Sequence, residues 1–90
     1  MQRFMIKWEL TTHSWLNLEL VTSPSYGIVK EVLIAEGQKI SEWAPMFEIE
    51  NSNGLLQYIS VGTRGTIEKV NVKYGSTVFP GTLLAQVKED

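Results

Sequence analysis

Few residues in this 90-residue chain could do chemistry, because it has one histidine, His13, and no cysteine. Zero cysteine excludes thiol nucleophiles, redox pairs, thiolate zinc sites and iron–sulfur clusters together. A lone histidine has no second imidazole or thiolate with which to hold a metal, so His13 reads as a solvated loop residue. Glu48 and Glu50 stand two apart, as a carboxylate pair on one strand face would, but nothing beside them signals a pocket, and a solvated face is the simpler reading. Gly62-Thr63-Arg64-Gly65 matches the bare GxxG of some nucleic-acid loops, and four residues are too few to carry that function. No glycine pattern for a nucleotide phosphate occurs. These observations imply no catalytic residue and no metal site.

The framework around these groups is a small globular domain. Eight Lys and Arg oppose ten Asp and Glu, for a net charge of −2, so no basic field exists to attract nucleic acid. With 43% apolar residues the chain can bury one core. Arg3, Lys7 and Glu9 interrupt the opening apolar stretch, which argues against a signal peptide. The longest uncharged run, residues 74–87, contains Gly75, Pro80 and Gly81 and is too short to span a bilayer as a helix. A cytoplasmic protein without membrane contact is expected.

Sliding the sequence by 38 places aligns it with itself without a gap. Gly27, Val32 and Gly37 fall on Gly65, Val70 and Gly75. Val29, Ile34, Ile40, Met46 and Ile49 fall on Ile67, Val72, Val78, Leu84 and Val87. All eight matches are apolar positions or glycines that read as turn residues, Gly27 and Gly65 among them, so the plain reading is two similar β-units, at about residues 27–50 and 65–88, in one compact domain. Val32, Ile34 and Val70, Val72 alternate with period two and end at turn glycines, and no window sustains helical spacing. Pro45 stops any helix begun at Ser41. Val29, Val32, Ile34, Ile40, Ile67, Val70, Val72 and Val78 should share one core. Ahead of the repeats, Phe4, Ile6, Trp8 and Leu10 alternate, and after a polar stretch so do Leu16, Leu18 and Leu20, which suggests an N-terminal strand or hairpin over residues 1–17.

With its flank the first unit reads Pro24-x-x-Gly27-x-Val29-x-x-Val32-x-Ile34-x-x-Gly37-x-x-Ile40. It resembles the biotinyl/lipoyl domain family, in which P-x-x-G-x-V-x-x-V-x-V-x-x-G-D-x-V recurs in both halves. The resemblance spans about residues 18–88. It implies an all-β flattened barrel sandwich, or barrel-sandwich hybrid, of about eight short strands with a pseudo-two-fold repeat, filling residues 18–90. It also implies a hairpin between the halves whose tip presents a lysine that carries biotin or lipoate.

At that tip the chain departs from the family. Counting back from Gly65 puts the acceptor lysine at Gly54, preceded by Asn53. Asn-Gly favours a type I′ hairpin turn, in which both central residues take positive φ. The six lysines, Lys7, Lys30, Lys39, Lys69, Lys73 and Lys88, all lie elsewhere in the sequence. The expectation is therefore no prosthetic group, neither biotin nor lipoate. Other departures are Gln38 and Ser76 at the family's aspartate, Gly62 at its second proline, and Trp43 where the second half keeps Gly81. A Trp would be strained at positive φ, so a different local backbone is expected at position 43.

Three tryptophans in 90 residues invite a reading as a partner-binding protein. Trp8, Trp15 and Trp43 read first as core or barrel-end packing, with an interface as the alternative. If Leu55, Gln57, Ile59 and Val61 face the core, Leu56 and Tyr58 point outward beside the tip, as a contact patch or as a surface covered by an extra strand. Leu56, Tyr58 and Trp8 are the candidate interaction residues. The sequence thus suggests a non-catalytic module for protein interaction or assembly, possible as a homo-oligomer. The alternative is an accessory or carrier-derived component of a biotin- or lipoate-dependent enzyme complex.

Overall fold

A computed structural model describes residues 17–90 as eight strands and no helix. They are β1 (Leu18–Thr22), β2 (Gly27–Val32), β3 (Lys39–Ile40), β4 (Phe47–Asn51), β5 (Leu56–Ile59), β6 (Gly65–Val70), β7 (Thr77–Val78) and β8 (Leu83–Glu89). Two four-stranded antiparallel sheets form, ordered β1-β8-β6-β3 and β5-β4-β2-β7. They pack face to face in a body of 36 × 23 × 18 Å, the flattened barrel sandwich that the family resemblance implies. The N-terminal strand or hairpin, with His13, Trp8 and Trp15, lies outside the described residues.

The 38-residue shift is a pseudo-two-fold in the hydrogen bonds as well as in the sequence. The Gly37 amide donates to the Ile67 carbonyl and the Gly75 amide to the Val29 carbonyl, both at 2.8 Å. In return, Val29 donates to Ser76 and Ile67 to Gln38. Each half therefore closes the other half's turn, so neither sheet is built from one repeat alone. Gly37 and Gly75 both have φ +88, at the third position of turns closed by Gln38 and Ser76 back to Ala35 and Lys73. That geometry is a type II turn and favours glycine. Gln38 Oε1 and Ser76 Oγ accept the amides of Ala35 and Lys73 at 2.9 and 3.0 Å. These two equivalent positions thus each supply a side-chain acceptor for the first amide of their turn.

Gly27 and Gly65 are not turn residues, as the repeat pattern suggested. They open β2 and β6, and both are buried. A Cβ on Gly27 would run into the carbonyl oxygen of Glu50, and one on Gly65 into that of Lys88. Glycine stands there because a neighbouring backbone passes too close for a side chain.

The Val-x-x-Val spacing has an equally local cause. Residues three apart on a regular strand face opposite ways, yet Val29 and Val32 both reach the core. The β2–β4 register slips between Val29 and Glu31, and the β6–β8 register slips between Ile67 and Lys69. A bulge at the same place in each half turns Val32 and Val70 back inward. The eight expected core residues all join one cluster, with Val32, Val70 and Val72 only partly buried. Met46, Phe47, Ile49, Ile59, Val61 and Leu84 complete its centre. On β1 it is Glu19 and Val21 that face inward, while Leu18 and Leu20 are half-buried.

Position 43 corrects the sequence reading. Trp43 has φ +63 and Gly81, its counterpart, φ +91. Their amides make equivalent bonds, to the carbonyls of Val61 and Ser23. The backbone is kept and the tryptophan adopts the left-handed conformation, at a cost of about 1–2 kcal/mol. The residue is 46% exposed and lies outside the core cluster.

Candidate functional site

The β4–β5 hairpin projects residues 52–56 into solvent. Its turn is not the type I′ form that Asn53-Gly54 suggests. The Gly54 amide donates to the Asn51 carbonyl at 2.9 Å, and the Asn51 amide to the Leu55 carbonyl at 2.8 Å. Gly54 has φ +81, and Asn53 is not among the residues with positive φ. Ser52 and Asn53 therefore form the centre of a type I turn, and Gly54 is the left-handed residue of the bulge that follows. Asn51 fixes this form, because its Oδ1 accepts the amides of Asn53 and Leu55 at 2.9 and 3.0 Å. A side-chain cap on the turn amides outweighs the bare dipeptide preference.

A Cβ placed on Gly54 would meet nothing within 4 Å. The position is open to solvent, sterically free and without an amine. Lys30 ion-pairs with this hairpin, its Nζ lying 3.6 Å from Glu50 Oε1. It belongs to the middle of β2, half-buried and ion-paired, and not to the turn. Lys39 pairs with Asp90. Among the described residues no group of histidines, aspartates or glutamates is arranged to hold a metal, and no helix is long and apolar enough to cross a membrane.

Leu56 and Tyr58 point outward as expected, 56% and 61% exposed, while Gln57 is half-buried and Ile59 and Val61 are buried. Leu55 departs from the expectation and is 62% exposed. Its hydrogen-bonded neighbour Asn51 is polar, and Gly27 beyond Asn51 has no side chain, so the core offers Leu55 nothing to pack on. Tyr58 stands opposite Glu48 across the strand pair. The charge of Glu48 first, then desolvation and the charge of Glu31, hold the phenol above its usual pKa of 10.0.

Sequence reasoning missed the rest of this surface. Tyr26 and Phe79 meet edge to face with ring centroids 5.0 Å apart, both exposed, and Ile28 is exposed on β2 between them and β4. Pairing of Gly27 with Asn51 carries Tyr26 next to the hairpin tip. The repeat held the signal, since the counterparts of Tyr26, Ile28 and Phe79 are Arg64, Thr66 and Ser41.

No family model and no curated protein matches this chain. Solved structures do. The urea carboxylase of Kluyveromyces lactis superposes with a TM-score of 0.71 at 23% identity, over 78% of this chain and 6% of that one. The lipoyl domain of the 2-oxoglutarate dehydrogenase complex from Azotobacter vinelandii superposes with a TM-score of 0.68 at 20% identity, over 78% of this chain and 95% of that domain. The fold is the barrel sandwich of biotinyl/lipoyl domains. The chain thus spans nearly the full length of the lipoyl domain and a small part of the carboxylase. At these identities the likeness establishes the fold alone.

Proposed function

We propose that this chain is a biotinyl/lipoyl-type barrel that carries no prosthetic group and works as a non-catalytic module for protein interaction or assembly. The observation that carries the reading is Gly54. It occupies the family's acceptor position on an intact, exposed hairpin, and glycine has no amine with which to form an amide to biotin or lipoate. Tyr26, Ile28, Leu56, Tyr58 and Phe79 beside the hairpin supply the kind of apolar, aromatic surface on which protein partners dock. The preserved, open tip also favours a second reading, an accessory component that docks in a biotin- or lipoate-dependent complex without transferring anything. Incubation of the purified protein with biotin ligase or lipoate ligase, ATP and labelled cofactor tests the proposal. No incorporation is expected, and label on any of the six lysines would overturn it.

A further inference from the structure

Among the described residues, the sheet edges are β1 and β3 in one sheet and β5 and β7 in the other. An open edge offers unpaired amides and carbonyls to any other strand, and proteins blunt such edges with short strands, charges, prolines or inward-pointing ionisable groups. Three edges here carry such devices. β3 is two residues long and contains Lys39. β7 is two residues long and runs into Pro80. β1 turns the carboxylate side chain of Glu19 inward. β5, Leu56-Gln57-Tyr58-Ile59, has no charge and no proline and is twice as long as β3 or β7.

The backbone of β5 is also correctly phased for a second strand. The Leu55 carbonyl accepts the Asn51 amide and the Ile59 carbonyl accepts the Met46 amide, so both point toward β4. Peptide groups alternate along a strand, and those of Leu56 and Tyr58 therefore face away from β4, where no described strand pairs with them. Their side chains are the two exposed apolar groups of the strand.

We propose that two copies of this chain associate through β5, edge to edge and antiparallel, about a two-fold axis at Gln57. This goes beyond the functional reading above and does not depend on whether the tip carries a group. A second copy is the occupant because the edge is self-complementary. With the axis at Gln57, Leu56 opposes Tyr58 of the second copy and Tyr58 opposes its Leu56, each pair exchanging both N–H···O bonds. The aliphatic and aromatic side chains of each pair then lie side by side on the outer face, a favourable cross-strand contact. No like charges meet, because Glu48 and Glu50 sit one strand back. Across the joined sheet they are about 14 Å from their counterparts, beyond the screening length at physiological salt. The two small sheets become one sheet running through both copies. The contact is small, so the pairing is concentration-dependent.

Sedimentation equilibrium of the full chain between about 1 µM and 1 mM tests the pairing. The weight-average mass should rise from 10.2 kDa toward twice that value. Leu56→Lys and Tyr58→Lys should each raise the dissociation constant at least about tenfold. Leu20→Lys, at the counterpart of Tyr58 on β1, should leave it unchanged. Amide exchange of the wild type provides a readout independent of any variant's folding, with Leu56 and Tyr58 becoming protected as concentration rises. Three results would overturn the proposal: a monomer throughout the range, a dimer indifferent to both β5 variants, or protection of these amides already complete in the monomer.

Discussion

The outer faces of the two sheets are related by the pseudo-two-fold, yet their chemistry differs. On the β5-β4-β2-β7 face stand Tyr26, Ile28, Leu56, Tyr58 and Phe79, all exposed. Their counterparts on and beside the β1-β8-β6-β3 face are Arg64, Thr66, Leu18, Leu20 and Ser41. Inside the barrel the halves agree, with Val29 matched by Ile67, Ile40 by Val78 and Ile49 by Val87, every one buried. One half thus acts as a control for the other. What both halves share is what the barrel needs to fold. Tyr26, Tyr58 and Phe79 have no aromatic counterpart in the other half, so the backbone they sit on does not demand them, and they stand beside the β4–β5 hairpin.

The largest effects should come from the shared frame. Gly27→Ala and Gly65→Ala each drive a methyl group into a backbone carbonyl that cannot step aside. Each should cost about 3 kcal/mol or more in urea unfolding, with both halves equally intolerant. A mild effect at one of them would break the equivalence of the halves. Next come Val29→Ala and Ile67→Ala, fully buried counterparts that should lose about 2–4 kcal/mol each by leaving a cavity. Gly37→Ala and Gly75→Ala meet no atom within 4 Å, so only the left-handed backbone is penalised. Both should cost about 1 kcal/mol, and a large difference between them would show unequal turns.

On the outer face the expected effects on stability are small. Ile28→Thr, which copies the other sheet, should change unfolding free energy by less than about 0.5 kcal/mol. A loss of several times that would mean that this face serves the fold rather than a partner. Smallest of all is the titration of Tyr58. Its phenol is raised in the folded state, so the stabilising contact with Glu48 is present below the ordinary phenol pKa of 10.0 and is lost as the phenol ionises above it. Absorbance titration of Glu48→Gln should bring one tyrosine back toward the ordinary range, and an unchanged titration would remove Glu48 as the cause.

Much of this frame was legible in the sequence, because the glycines and apolar residues recur at one fixed shift and their spacing names the strands. The reasons behind the spacing were not. Gly27 and Gly65 look like turn residues until the neighbouring strand's carbonyl is seen above them, since a close approach between distant segments leaves no local mark. The bulges that bring Val29 and Val32 to one face are likewise set by pairing across strands. Trp43 was misjudged for the opposite reason: the tertiary hydrogen bond to Val61 holds the left-handed backbone against the local preference of tryptophan. The resemblance put Gly54 at a hairpin tip, where the structure has it, while the turn type was decided by the Asn51 side chain, which bonds the amides two and four residues on. Leu56 and Tyr58 were found by alternation. Tyr26 and Phe79 were not, because they stand in loops where alternation does not apply.

The central claim is that an intact carrier-type hairpin presents no attachment chemistry. Intact-mass spectrometry of the chain, produced with biotin ligase and lipoate ligase together, tests it most directly. The account predicts the mass of the unmodified polypeptide alone. A biotinyl or lipoyl increment, mapped by fragmentation to any lysine of the chain, would contradict it.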